Sequence, residues 1–191
     1  WGTDAVLKRD GRIFESKAGP WEPGLGRQAQ IGYYAGITHL DQQIGRLIMA
    51  LIEQELYDDC IFVFTSDHGE ELCDHHMFRK SRPCEGSCHI PLIISGPKPL
   101  LGGKEGQVCH NVVELRDLMP TFLDLAHAPV PEEVDGKSLL PMVKKTEERI
   151  RPWLHGEHLY GAESHHYIVT EKAIFIWYSQ SGEEQYFYLS T

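Results

Sequence analysis

The sequence lacks the excess of positive charge with which nucleic-acid-binding proteins neutralise phosphates. Its 191 residues include 18 lysines and arginines against 28 aspartates and glutamates, a formal net charge of -10. It also lacks any apolar run of about 18 residues, the length a transmembrane helix needs, so none is predicted. We therefore expect neither a nucleic acid nor a membrane among its partners.

Cysteines are few and odd in number, with five in the chain. An odd count in a chain of this length does not favour a disulfide scaffold, and we expect reduced thiols. A His-Glu-x-x-His motif is absent, which gives no support to a zinc protease. Internal repeats and low-complexity tracts are absent too. The 41% hydrophobic content predicts a globular core, in one domain with at most a small appendage.

Apolar spacing changes along the chain. Residues 1–30 are rich in glycine and proline, which predicts a long surface loop. From Ile31, apolar residues recur every three or four positions, which predicts an amphipathic helix through about Leu56. The apolar runs Ile61–Phe64 and Ile90–Ile94 predict two buried strands, and Leu118–Ala126 predicts a helix with Asp117 as its N-cap.

This order of elements predicts an α/β fold. Strands too apolar to alternate are typical of a mostly parallel sheet with helices on both faces. After Lys145 come short strand-like runs and a hairpin signal at Ser181-Gly182. We therefore predict an α/β domain over residues 1–145 and a small antiparallel β subdomain over 146–191. The predicted strands of that subdomain are Tyr167–Thr170, Ala173–Tyr178 and Gln185–Leu189.

A candidate site follows the first predicted strand directly. Asp67, His68, Gly69 and Glu70 lie at its carboxyl end, where open α/β sheets usually bind their ligands. Asp67 and His68 offer a carboxylate oxygen and an imidazole nitrogen to one metal ion or one phosphoryl-type substrate. We expect Gly69 to let the backbone turn sharply away. An acidic loop with a solvated histidine is the alternative for these residues alone.

The sequence around this site carries several motifs in a recognisable order. Thr65–Lys80 reads TSDHGEELCDHHMFRK, Glu85–Ser87 reads EGS, and Ile90–Pro97 reads IPLIISGP. These motifs resemble the sulfatase family of the alkaline phosphatase-like superfamily. Further segments similar to the family's elements extend the resemblance over about residues 31–191: Tyr33–Asp41, Ile44–Leu47, Asp117–Ala126, Asp135–Pro141 and Tyr178–Phe187.

The resemblance implies a fold, an activity and a role for three residues. The fold would be part of a doubly wound alkaline phosphatase-like sheet with helices on both faces, plus a small C-terminal antiparallel sheet. The activity would be hydrolysis of sulfate esters of aryl compounds or carbohydrates. Asp67 and His68 would be ligands of a divalent cation, usually calcium, and Lys80 would contact the sulfate. A fixed cation and a metal suit a reaction in which negative charge accumulates.

The family's nucleophile is not found in this chain. Sulfatases use a formylglycine made from cysteine or serine in a Cys/Ser-x-Pro-x-Arg motif, with two more acidic metal ligands near the N-terminus. Neither feature occurs here, and the chain starts at Trp1 rather than Met. The resemblance therefore implies a C-terminal part of the enzyme, inactive alone, whose missing N-terminal part supplies the nucleophile. The sequence also departs from the family pattern at Cys73, Cys84 and Cys88-His89.

Two alternatives remain open. A phosphonate monoester or phosphodiester hydrolase of the same superfamily uses a similar Asp-His pair and downstream lysine. A structural zinc module is the second alternative, with ligands drawn from Cys73, His75, His76, Cys84, Cys88 and His89, although a Cys-x-x-Cys pair is missing. Histidines outside the motif are expected to be surface or packing residues: His39, His89, His110, His127, His155, His158, His165 and His166.

Overall fold

The structure is a computed structural model that describes residues 23–102, 106–145, 149–158 and 161–189. The chain divides into two compact units, Trp1–Ser95 and Gly96–Thr191. The domain division expected near residue 145 stays a prediction. The helices of the described residues are α1 (Pro23–Glu53), α2 (Glu85–Cys88), α3 (Lys98–Leu101), α4 (Leu118–Leu125) and α5 (Leu140–Val143). Their strands are β1 (Phe62–Thr65), β2 (Leu92–Ser95), β3 (Leu154–His158), β4 (His165–Val169), β5 (Ala173–Tyr178) and β6 (Glu184–Tyr188).

Helix α1 begins eight residues earlier than the apolar spacing predicted. The loop expected over residues 1–30 is therefore wrong for residues 23–30, and residues 1–22 lie outside the described part of the chain. Pro23 is the first helical residue, a position where its missing N–H costs no hydrogen bond. Gly26 allows close packing, because a Cβ there would lie 2.9 Å from Cys73 Sγ. Tertiary contact thus selects a helix that the glycines alone disfavour. None of the described helices is long and apolar enough to cross a lipid bilayer.

The two strands of the first unit are both confirmed, each displaced by one or two residues. Their expected burial is wrong, because neither strand has a buried residue and Phe64 and Ile93 are 40% and 58% exposed. They pair antiparallel, with Phe62 opposite Ser95 and Thr65 opposite Leu92, so the expectation of a mostly parallel sheet is wrong for this pair. A continuous apolar run favours a strand but determines neither its direction nor what covers it. The chain between β1 and β2 contains only the short helix α2 and a 3-10 turn, not the long crossover helix that parallel neighbours usually need.

Helix α4 is confirmed, but Asp117 does not cap it. No side-chain hydrogen bond from Asp117 reaches the first turn of α4. Its carboxylate instead accepts backbone N–H groups from Glu114, at 2.9 Å, and from Lys137, at 2.8 Å. Arg151 completes the set with an ion pair at 2.5 Å. Asp117 therefore joins three separate segments of the second unit, a role that depends on residues distant in sequence.

The small C-terminal antiparallel sheet is confirmed, in the order β3-β4-β5-β6. Strand β3 was not predicted, because Leu154–His158 contains a glycine and three polar residues among its five. Ser181-Gly182 forms the predicted turn before β6, with Gly182 at φ 72° in the left-handed region that favours glycine. One face of the sheet supplies core residues of this unit, His165, Ile174 and Ile176, which are at most 4% exposed.

Candidate active site

The Asp67–His68 pair lies in the loop that leaves β1. The backbone N–H of His68 donates to Asp67 Oδ1 at 3.0 Å, and Ser66 Oγ donates to the His68 carbonyl at 2.5 Å. The first bond orients the Asp67 carboxylate toward the His68 backbone, and the second holds the backbone of the loop. Asp67 Oδ2 then lies 3.6 Å from His68 Nε2. The side chains are 84% and 40% exposed, so both ligand atoms are accessible.

The His68 ring has a defined tautomer. Its Nδ1 lies 2.8 Å from the Gly69 carbonyl oxygen, which can only accept a hydrogen bond. The proton is therefore on Nδ1, and the lone pair on Nε2 is available. A backbone carbonyl that orients the second ring nitrogen is the usual support of a metal-ligating histidine.

The two ligand atoms have the spacing of neighbouring metal ligands. Calcium binds its ligands at about 2.3–2.6 Å, so two of them at right angles are about 3.5 Å apart. The Oδ2–Nε2 distance of 3.6 Å agrees with that geometry. The spacing of these two atoms is thus compatible with two ligands of one divalent cation, and that they bind a cation stays a prediction.

A positive φ is not the reason for glycine at position 69, because Gly69 does not lie in the left-handed region. The sharp turn expected there stays a prediction. Its N–H donates to the Ser87 carbonyl at 2.8 Å, and the N–H of Glu70 donates to the Gly86 carbonyl at 2.6 Å. A Cβ on Gly69 would lie 2.0 Å from the Gly86 oxygen. Glycine is required here for close approach of two backbones.

Lys80 lies on a loop that folds back toward the motif. The N–H of Glu71 donates to the Arg79 carbonyl at 2.7 Å, and the N–H of Arg79 donates to Glu70 Oε1. Lys80 follows directly and is exposed. These bonds bring the backbone next to Lys80 alongside Glu70 and Glu71. That the Lys80 ammonium shares one cleft with Asp67 and His68 stays a prediction.

The loop from Glu71 to Ser81 concentrates unusual backbone conformations. Its left-handed residues, none of them glycine, are Leu72, Cys73, His75, Arg79 and Ser81, with φ between 47° and 88°. Such conformations are costly and persist only where surrounding contacts enforce them, and they often occur at functional sites. Lys80 lies between two of these residues. No local sequence signal marks these positions, because left-handed conformations favour glycine and asparagine.

Glu71 is a site residue that the sequence did not single out. It is only 1% exposed, and neither carboxylate oxygen has a hydrogen-bond partner in the described part of the chain. Burial, together with the charges of Asp74 and Glu70, raises the pKa of Glu71 from 4.5 to about 7. Burial and the Glu71 charge likewise raise the pKa of the Cys84 thiol to about 11. A glutamate next to other acidic residues is usually predicted to be solvent-exposed. No sequence pattern therefore indicated that Glu71 is buried.

Among the described side chains, which do not include that of His76, the ligands of the alternative zinc module do not form a group of three that could hold one ion. Cys88 Sγ instead donates to the Arg82 carbonyl at 3.5 Å. His89 Nδ1 lies 2.7 Å from Glu85 Oε2, one turn of helix α2 away. For the described ligands, proximity in sequence therefore did not produce convergence in space.

Comparison with known protein families decides the wider assignment. Residues 15–128, more than half of the chain, match the Sulfatase family model. The chain belongs to the sulfatase family. Residues 73–188 also match the model described as N-sulphoglucosamine sulphohydrolase, C-terminal. The family assignment made from the Asp67–Lys80 motifs is thus confirmed.

Arylsulfatases are among the curated relatives. An arylsulfatase of Clostridium perfringens is 49% identical over 161 residues, which cover 84% of this chain and 34% of that protein. Human arylsulfatase K is 38% identical over 132 residues, covering 65% of this chain and 24% of that protein. This sulfatase chain therefore spans about a third of the length of the Clostridium perfringens relative and about a quarter of the human one.

Solved structures share the fold. A protein in complex with its substrate D-glucosamine-2-N,6-O-disulfate has a TM-score of 0.72 at 30% identity, over 80% of this chain and 32% of that one. A phosphonate monoester hydrolase of Silicibacter pomeroyi has a TM-score of 0.70 at 30% identity, over 79% of this chain and 33% of that one. The predicted α/β fold class, alkaline phosphatase-like with a small antiparallel sheet, is confirmed.

Proposed function

We propose that this chain is part of a sulfatase that hydrolyses sulfate esters of aryl compounds or carbohydrates. The observation that carries the proposal is the Asp67–His68 pair, whose ligand atoms lie 3.6 Å apart with the His68 tautomer set by a backbone carbonyl. The 49% identity to an arylsulfatase supports sulfate as the transferred group. Among the solved neighbours, one is bound to a sulfated glucosamine, which supports a sulfated carbohydrate as a substrate class.

Each proposed residue has a distinct task. Asp67 and His68 hold a divalent cation, with calcium as the proposed ion, since a carboxylate oxygen suits a hard cation and the imidazole position is permissive. When bound, this cation stabilises negative charge on the sulfate oxygens. Lys80 presents an exposed ammonium to the same oxygens and compensates the charge that develops as the ester bond breaks.

The covalent step needs a group that these 191 residues do not contain. A Cys/Ser-x-Pro-x-Arg motif, from which the family makes formylglycine, does not occur in the sequence. We propose that the nucleophile and the remaining metal ligands belong to an N-terminal part of the same protein. The exposed apolar residues of α1 support this proposal, because Ile37, Leu40 and Leu47 are 47%, 50% and 59% exposed. Contiguous exposed apolar surface of this kind is usually an interface.

Two assays test the proposal. In the full-length protein with calcium, Lys80→Ala should lower aryl sulfate turnover about 10²–10³-fold, while the exposed Lys98→Ala should not change it. The chain alone should show background turnover only, because loss of the nucleophile in a concerted site costs many powers of ten. Turnover by the isolated chain that Lys80→Ala abolishes would overturn this division of the active site.

Metal binding provides a second readout that needs no turnover. In calorimetric titration of the full-length protein with calcium, Asp67→Asn and His68→Gln should each weaken binding. Asp58→Asn is the matched control, since Asp58 is exposed and precedes β1. Unchanged calcium affinity in both site variants would exclude these residues as ligands. The chain alone should bind calcium weakly, because two residues leave most of its six to eight positions to water.

Hydrolysis of phosphonate monoesters is a second candidate. It is favoured by the solved hydrolases of Silicibacter pomeroyi and Agrobacterium radiobacter, with TM-scores of 0.70 and 0.69 at 30% and 28% identity. Parallel assays of the full-length protein with an aryl sulfate and an aryl phosphonate decide between them. Higher kcat/KM for the phosphonate would replace the sulfatase proposal.

A further inference from the structure

Three side chains converge on one face of the C-terminal sheet: His155, Glu157 and His166. Their ligand atoms, one nitrogen of each imidazole and one carboxylate oxygen, all lie within 4.8 Å of one another. His155 Nε2 is 3.1 Å from His166 Nδ1, and His166 Nδ1 is 3.5 Å from Glu157 Oε2. Within the described ranges, no other group of three such ligands comes as close.

Strand pairing fixes this arrangement. His155 and Glu157 are two residues apart on β3, so their side chains project from the same face. Glu157 lies directly opposite His166 on β4 in the antiparallel ladder. Directly opposed residues have Cβ atoms about 5 Å apart, and diagonal neighbours remain within reach of long side chains. The backbone hydrogen bonds of the sheet therefore hold three potential ligands together.

A fourth residue orients the central imidazole. Trp177 lies opposite His166 on β5, and its ring stacks on the His166 ring with centroids 5.6 Å apart and planes inclined by 30°. His166 is consequently flanked by Glu157 on one side and Trp177 on the other. His155 and Glu157 are exposed, so both can adjust to a ligand at little cost in packing.

The distances match those around one metal ion. Zinc binds imidazole nitrogen and carboxylate oxygen at about 2.0–2.2 Å, so two ligands in tetrahedral geometry are about 3.4 Å apart. The observed separations of 3.1 Å and 3.5 Å lie on either side of that value. Without an ion, the two imidazoles share one proton, and a rotation of the exposed His155 ring would direct both lone pairs to a common centre.

We propose that His155, Glu157 and His166 bind one transition-metal ion of the zinc class. Two imidazoles and one carboxylate are a donor set that suits zinc and its neighbours, and they leave a fourth position to water or a ligand. The set differs from the Asp67–His68 pair, for which calcium is proposed. No residue is common to the two sites, so the zinc site does not depend on the proposed hydrolase function.

Zinc titration of the full-length protein tests the proposal. We expect the double variant His155→Ala/His166→Ala to bind one zinc equivalent fewer than the wild-type protein in calorimetry. Glu157→Gln should bind the same number of zinc ions as the wild type, but its affinity for zinc at this site should be at least about tenfold weaker. His110→Ala is the matched control, an exposed histidine outside the cluster, and should bind zinc as the wild type does. Thiol sites contribute equally to all four proteins, so the difference isolates the cluster.

A single variant and two controls distinguish loss of the zinc site from loss of the fold. If His166→Ala disturbs the sheet, as circular dichroism would show, the exposed His155→Ala alone should still weaken zinc binding at least about tenfold. Calcium affinity should be the same in every variant of the cluster. A double variant that retains every zinc equivalent would overturn the proposal, as would an equal loss in His110→Ala. Failure of calcium binding or of sulfate hydrolysis would instead affect only the proposed function.

Discussion

Arg151 forms a bidentate ion pair with Asp117, in which Nη1–Oδ2 and Nη2–Oδ1 are each 2.5 Å apart. Asp117 is fully buried and Arg151 is 8% exposed. The hydrogen bond with Asp117 raises the pKa of Arg151, so the arginine stays charged. The pair joins the start of α4 to the segment that precedes β3, 34 residues along the chain.

Removal of one partner should unfold or strongly destabilise the second unit. Asp117→Ala removes the bidentate partner of the buried Arg151 charge and, among the described residues, leaves it only Glu114 Oε1, 3.5 Å away. We expect it to lower the free energy of unfolding by about 3 kcal/mol. Asp135→Ala is the control, because Asp135 is 81% exposed and lies 3.7 Å from Arg116. Asp135→Ala should lower the free energy of unfolding by less than about 1 kcal/mol. Urea denaturation measures the free energy of unfolding of both variants. Similar decreases would show that the buried ion pair stabilises the unit no more than the exposed one does.

The buried Glu71 should make stability depend on pH. Its carboxyl group has a pKa of about 7 in the folded protein, against 4.5 ordinarily. Between these values the folded state binds more protons than the unfolded state, so stability falls as pH rises from about 4.5 to about 7. The loss should be about 3 kcal/mol. Above that range Glu71 is charged in both states and the penalty is constant.

Substitution of Glu71 isolates this effect. Glu71→Gln should remove that part of the pH dependence and stabilise the protein near pH 8, because no charge is buried. Glu53→Gln at the exposed end of α1 should leave the pH profile unchanged. Urea midpoints between pH 4.5 and pH 8 measure the difference. Parallel profiles for the wild type and Glu71→Gln would contradict the assignment.

Glycines on α1 and after His68 should respond oppositely to alanine. Gly69→Ala would place a Cβ 2.0 Å from the Gly86 carbonyl oxygen, and we expect it to displace the Asp67–His68 loop and weaken calcium binding. Gly45→Ala adds a Cβ that meets nothing within 4 Å, and should stabilise α1 by about 0.5–1 kcal/mol. Thermal denaturation and calcium calorimetry of the full-length variants measure both effects. A Gly69→Ala protein with normal calcium affinity would contradict the close-approach interpretation.

Cys84 should react more slowly than the exposed cysteines. Burial and the charge of Glu71 raise the pKa of its thiol to about 11, so little thiolate is present at pH 8. Cys109 is exposed and is the comparison site. Peptide mass spectrometry after timed iodoacetamide treatment should find Cys109 alkylated first. Equal rates would show that Cys84 is more accessible than its burial indicates.

The spacing of apolar residues predicted most of the helices and strands, but not which strands pair with each other. The apolar runs around Val63 and Ile93 indicated two strands, yet their antiparallel pairing depends on the chain between them. Strand β3 carried no such signal, because its neighbours in β4 supply the hydrogen bonds that make it a strand. Asp117 was predicted as a helix cap from its local position. Its bonds to Lys137 and Arg151 come from segments 20 and 34 residues away, which a local pattern does not encode.

The sequence by itself determined the family, because the residues from Asp67 to Lys80 occur in a fixed order that does not require knowledge of the fold. It also placed Asp67 and His68 at the end of a strand, since an apolar run is a local property. Only the tertiary structure decided the burial of Glu71 and the meeting of His155, Glu157 and His166. These features depend on backbone groups and strands that approach one another in space. Desolvation and hydrogen bonding act on that proximity, and sequence spacing does not record it.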